Sequence, residues 1–326
     1  MKIIRLLSYA LAWGFFQPQA SAQFASDAGL GQFGAGANTT PLPNHVKGRI
    51  QSGLWFGSGQ YDVAHWSLLT RVDVRIGAQF ILYTTLPVQH QAHPEFGAFT
   101  GVSNPSVVLG YELPFDLKAN FTINAGFQFP GENANRISGT NSLPMVMQPS
   151  LGSTDLLLGF TFEINNLLFS LAYQRPLTDN QNQFIRQPDA EQSLLENARS
   201  SYALLRGQDL ALRFRHRIPL TKKLGVFYHL MPIIRLQDDQ FLDFNKGTRE
   251  AHFQSKGLTV NASAGVIFEP ATHYVMQIEA GLPLRYRNAH ADGTLRYFFA
   301  GLTVQKDLVK NKKRYKIQAD EAEDLP

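Results

Sequence analysis

From Leu117 to Phe129 every second residue is apolar. Leu117, Ala119, Phe121, Ile123, Ala125, Phe127 and Phe129 fall on one side. Lys118, Asn120, Thr122, Asn124, Gly126 and Gln128 fall on the other. A helix scatters such a pattern around its circumference, whereas a strand sends the two sets to opposite faces. The pattern recurs at Leu156–Ile164, Leu210–Phe214, Leu258–Phe268 and Tyr274–Leu284, with Leu157 as an exception. Strands of a soluble sandwich run about 5–6 residues, but many of these run about 10–13, the length a tilted membrane strand needs. After the N-terminal segment the sequence has no run of 18 apolar residues, so no transmembrane helix is expected. The expected fold is all-β, a transmembrane antiparallel up-and-down β-barrel of about 12 strands.

Alternation and turn residues place strands at 48–57, 63–71, 74–86, 103–114, 117–129, 154–164, 167–176, 207–218, 223–235, 257–268, 273–285 and 295–306. Short turns fall near Arg71–Asp73, Pro114–Asp116, Asn165–Asn166, Pro219–Lys222 and Glu269–Thr272. Longer connections fall at 87–102, 130–153, 177–206, 236–256 and 286–294. Outer-membrane barrels keep short turns in the periplasm and long loops outside. The two sets alternate, so both termini are expected in the periplasm.

Residues 1–22 have the form of a signal peptide. Lys2 and Arg5 precede an apolar stretch, and Ala20-Ser21-Ala22 supplies the cleavage site. Residues 23–47 are expected to form a periplasmic lead, 48–306 the barrel, and 307–326 a charged periplasmic tail. There are no cysteines, which excludes disulfides, thiolate catalysis and cysteine metal sites. A closed sheet offers another way to hold an exported chain together. The net charge of +4 gives no sign of nucleic-acid binding.

The segment Ser153-Thr154-Asp155-Leu156-Leu157-Leu158-Gly159-Phe160, Pro130-Gly131 before it, and Tyr173-Gln174-Arg175-Pro176-Leu177 on the return strand carry a family resemblance. Over residues 103–306 the chain resembles the outer-membrane barrels known as the "MetA pathway of phenol degradation" family, a family of transporter-like barrels. The resemblance implies an outer-membrane barrel loosely related to transporters of hydrophobic and aromatic compounds, and names no substrate.

Alternation also assigns inward positions. Arg213, Arg215 and Arg217 form a ladder on one strand, with Gln174 on the strand before it. Arg285 and Glu279 lie on a later strand, and Lys118 and Gln128 on an earlier one. An arginine on the lipid face costs about 2–4 kcal/mol near the midplane, so the ladder is expected inside. There it either attracts anions or pairs with Glu279, Glu163, Asp155 or Glu112 and braces a filled barrel.

Other motifs carry less. Gly29-Leu30-Gly31-Gln32-Phe33-Gly34 spells a dinucleotide fingerprint but follows no strand. His90, His93 and Glu95 read as a surface loop, not a metal site. His65 and Ser67 share a strand face, as in a barrel hydrolase, but point away from lipid. Tyr173, Tyr228, Tyr274, Tyr286 and Tyr297 read as interfacial girdle residues. The sequence thus leads us to expect a non-enzymatic, porin-like channel of a Gram-negative outer membrane, without cofactor, catalytic residue or metal. Its expected partners are outer-membrane lipid, small solutes (aromatic or anionic ones among them) and the barrel-assembly machinery. A non-conducting barrel that displays its loops is the alternative, and a lipid-hydrolysing barrel the third.

Overall fold

The computed structural model describes Leu42 and residues 46–114, 119–188 and 190–309. The signal peptide, most of the lead, the glycine motif, Lys118 and the tail beyond 309 lie outside the described residues.

Long alternating segments become strands. They are β1 (Val46–Gly59), β2 (Ala64–Ile76), β3 (Phe80–His93), β4 (Gly97–Val102), β5 (Ser106–Glu112) and β6 (Ala119–Gln128). A minor hairpin, β7 (Ile137–Ser138) and β8 (Asn141–Ser142), precedes β9 (Asp155–Ile164), β10 (Leu167–Pro176), β11 (Asp209–Pro219) and β12 (Leu224–Arg235). A second small hairpin, β13 (Gln240–Asp243) and β14 (Thr248–Ala251), leads to β15 (Gly257–Ala271), β16 (Tyr274–Arg285) and β17 (Arg296–Val309). Twelve of these pair antiparallel with their neighbours, and β1 meets β17, which closes the barrel; β4 adds a thirteenth strand against the end of β3. Closure leaves no long unpaired edge.

The pleat decides the two faces. Leu54, Trp66, Leu109, Ile123, Phe169, Leu212, Ile278 and Leu302 point outward and are exposed. Gln51, Thr122, Gln128, Arg213, Asn261, Gln277 and Thr303 point inward and are buried. A continuous apolar outer belt over a polar interior inverts the usual soluble arrangement and matches a hydrocarbon surround. Leu157 breaks the alternation because it packs inward, fully buried, with Val108, Ala172, Ala211, Met231 and Ile233.

Two expectations need correction. The turn expected at Arg71–Asp73 is strand; β2 runs on to Ile76, and β3 starts at Phe80. Arg71 and Asp73 are an inward ion pair, Nε to Oδ1 2.5 Å, and two adjacent inward charges imitate a polar turn in sequence. The loop expected at 87–102 is largely the hairpin of β3 and β4. His90 thus lies on β3, its Nδ1 2.7 Å from Thr100 Oγ1.

The turn end of the barrel is spare. Asn165 and His273 take φ of 52° and 74° in their tight turns, conformations that asparagine tolerates well. The opposite, loop end is elaborate. Residues 130–154, 177–188, 190–208, 236–256 and 286–295 fold over it and build a core of their own. Val63, Leu143, Val146, Met147, Phe184, Leu194 and Leu195 pack as one cluster, and Ala134, Met145, Leu151, Leu204 and Ala291 as another. Buried Asn182 ties two loops together. Its Nδ2 donates to Ala134 O (2.7 Å) and Leu143 O (3.0 Å), while its Oδ1 accepts from Phe184 N (2.9 Å) and Ser201 Oγ (2.7 Å). Asn180 Oδ1 likewise accepts from Leu204 N at 2.9 Å.

Candidate functional site

The strand β11 orders the interior. From loop end to turn end its inward residues are Asp209, Ala211, Arg213, Arg215 and Arg217. Each faces a different environment.

At the loop end Arg235 is fully buried and grips three carboxylates from separate segments. Its Nε and Nη2 donate to Asp209 at 2.8 and 2.7 Å, and its Nη1 to Asp239 at 2.6 Å and Asp292 at 2.9 Å. Arg287 also donates to Asp292, at 2.8 Å. Beside this hub Asp155 accepts from both Arg206 and Gln174. Removing one partner from such a buried cluster strands the others, which makes it a firm latch. Burial pushes the Asp292 carboxyl up, but the Arg287 and Arg235 guanidiniums more than offset this and hold it well below the usual carboxylate range. Burial, with help from Arg287, holds the His290 imidazole well below its ordinary value. Burial also lowers His252, whose Nε2 lies 2.6 Å from Ser200 O.

Below the latch lies the inward apolar cluster around Leu157 and Ile233. Arg213 follows, 3% exposed. Near it on the interior wall, Ser263 Oγ sits 3.0 Å from His229 Nδ1 and donates to Glu279 at 2.5 Å. His229 and Glu279 are themselves 3.3 Å apart.

The turn end holds a cavity of about 720 Å³. Arg49, Glu163, Leu168, Arg215, Arg217, Ile267, Gln277 and Asp307 line it, with the turns at Asn165–Asn166, Lys222–Lys223 and Thr272–His273 at its rim. Arg49 Nε pairs with Asp307 at 2.7 Å, and Arg217 with Glu269 at 2.5 Å. Arg215 is 6% exposed and stacks its guanidinium 4.5 Å from the Phe227 ring centre. That ring rests on Gly265, its register partner on β15; a β-carbon there would lie 2.6 Å from Phe227 Cζ. Aromatic rings laid over cross-strand glycines recur at Trp55 on Gly301.

The expected interior positions thus divide. Arg213, Arg215, Glu279, Gln128 and Gln174 are buried inside the barrel, and Arg217 is half-buried at its turn end. Arg285 is exposed at the last position of β16 rather than enclosed, because the register with β15 slips between Val260 and Asn261. Of the carboxylates expected to brace the ladder, Asp155 pairs with Arg206 and Glu112 with Arg75. Sequence reasoning passed over Arg235 and Asp209, although both share the inward phase of their strands. It had no signal for Arg206, Asp239 and Asp292, which sit in aperiodic loops.

An outer membrane channel from Pseudomonas putida F1 superimposes with a TM-score of 0.52 at 10% identity, over 83% of this chain and 100% of that one. This is the fold of an outer-membrane channel. The NanC porin (TM-score 0.45, 9% identity, 80% of this chain and 100% of that) and the CymD monoaromatic hydrocarbon channel (0.44, 8%, 90% and 95%) align less closely. No protein-family model and no curated protein sequence matches the chain. The likeness is therefore one of backbone, not of sequence.

Proposed function

We propose that the chain is a channel for small molecules in a Gram-negative outer membrane, gated by its folded loops. One observation carries this: a closed barrel with an apolar outer belt encloses a polar interior and a cavity of about 720 Å³. The turns and both termini lie in the periplasm, after export by the signal peptide and insertion by the barrel-assembly machinery. The loop cap faces outward. Solutes, aromatic or anionic ones among them, pass along the interior residues Arg213, Arg215, Arg217, Glu279, Gln128 and Gln174. The resemblance to the phenol-degradation barrels supports the same reading. The role is not enzymatic: Trp66 and Leu68 face lipid, while His65 is buried in the interior beside Ser67.

Swelling of vesicles that hold the refolded mature chain tests this. Entry of arabinose faster than in empty vesicles supports a channel, and entry at the empty-vesicle rate overturns it. A second reading, a non-conducting barrel that displays its loops, is favoured by the tight packing of the cap at Asn182 and Arg235. The same measurement separates the two.

A further inference from the structure

Arg215 stands out inside the turn-end cavity. The other enclosed arginines there are matched, Arg49 to Asp307 and Arg217 to Glu269. Arg215 makes no ion pair within 4.0 Å among the described residues, and its Nε has no hydrogen-bond partner. Glu279 and Glu163 attract Arg215 only from beyond ion-pair contact, so a cation that is 6% exposed remains incompletely matched, and a ligand anion in contact repays that cost. Its guanidinium carbon lies 4.5 Å over the Phe227 ring centre, and a guanidinium suits a planar, bidentate partner.

The surroundings narrow the anion. Lys222 and Lys223 at the rim add positive charge at the entrance. Glu163 also lines the cavity, with its Oε2 unpartnered, and repels a second negative charge on the ligand. A ligand with one negative charge meets less of this repulsion than a dianion does. Leu168 and Ile267, both buried, supply an apolar wall for the rest of the ligand. We propose that this cavity is a binding site for organic monocarboxylates with an apolar or aromatic body, the carboxylate docking on Arg215. This names the solute class of the channel proposed above and rests on that reading.

Calorimetry with the full mature chain in detergent, using benzoate, its neutral isostere benzamide and inorganic phosphate as probes, tests the site. Benzoate is expected to bind the wild-type chain at least tenfold more tightly than either of the others. Arg215→Gln, checked for native heat-modifiable mobility, is expected to weaken benzoate at least tenfold. Arg215→Lys, which keeps the charge but not the fork, should fall between the two. Absent benzoate binding, equal affinity for benzamide, phosphate binding as tight as benzoate, or full affinity in a folded Arg215→Gln chain each overturns the proposal. If Arg215→Gln does not fold, the wild-type benzoate and benzamide affinities decide. Arabinose entry into vesicles judges the channel by itself, so binding without entry, or entry without binding, shows which of the two has failed.

Discussion

Single side chains carry opposite duties on the two faces of this barrel. Ile278 lies mid-strand on β16 and is 63% exposed, so in a bilayer it meets hydrocarbon. Ile278→Arg is expected to cost about 2–4 kcal/mol in urea-titrated folding into vesicles, whereas a water-facing position would lose less than about 0.5. Inside, Gly265 is set by close approach: a β-carbon would fall 2.2 Å from Ile278 O and 2.6 Å from Phe227 Cζ. Gly265→Val should cost about 1–3 kcal/mol in the same titration, as overpacking does. An unchanged midpoint would show that Phe227 does not rest where the register places it. Most of this facing is legible from period two alone, which sends Ile278 and Glu279 to opposite sides. What sequence could not show was which inward arginines are matched, because Asp307, Glu269 and Asp155 reach their partners across the barrel wall or from loop ends, not along one strand.

The loops are the element that pattern reading described least. Their apolar residues follow no period, and their stability comes from particular hydrogen bonds such as those of Asn182. Strand lengths misled where inward charges imitated a turn, at Arg71 and Asp73, and at 87–102, which is largely the hairpin of β3 and β4. Asn182→Ala removes the donor to Ala134 O, leaves Leu143 O with Gln148 Nε2, removes the acceptor of Phe184 N and Ser201 Oγ, and should loosen the cap by about 1–3 kcal/mol while the barrel stays intact. Limited proteolysis should then cut within 177–206 faster, with unaltered heat-modifiable mobility; an unchanged cutting rate would deny Asn182 that role. The cap also carries a pH dependence. Burial holds His290 and His252 below the ordinary histidine value, so the folded cap binds fewer protons than the unfolded loops. Their contribution is complete above about pH 6.5 and declines as pH falls below it. Asp292, also depressed, adds a further loss only below about pH 4. Hydrogen exchange in 286–295, corrected for intrinsic rate, should be less protected at about pH 5.5 than at about pH 7.5. Equal protection at both would contradict this.

At the scale of the molecule, three layers stack along one axis: a latched loop cap, an inward apolar cluster around Leu157, and a basic cavity at the turn end. Such an order suits a gated path, in which the cap limits passage and the cavity holds the solute. The gate and the path are separable by measurement because Asn182 lies in the cap and its hydrogen-bond partners, Ala134, Leu143, Phe184 and Ser201 among them, are not among the residues that line the cavity. Single-channel conductance of the refolded mature chain in a planar bilayer, compared with Asn182→Ala, tests this most directly. A gated channel shows rare, brief openings in the wild-type chain and more frequent openings in the variant. Silence in both, from protein proven folded by its heat-modifiable mobility, would contradict it.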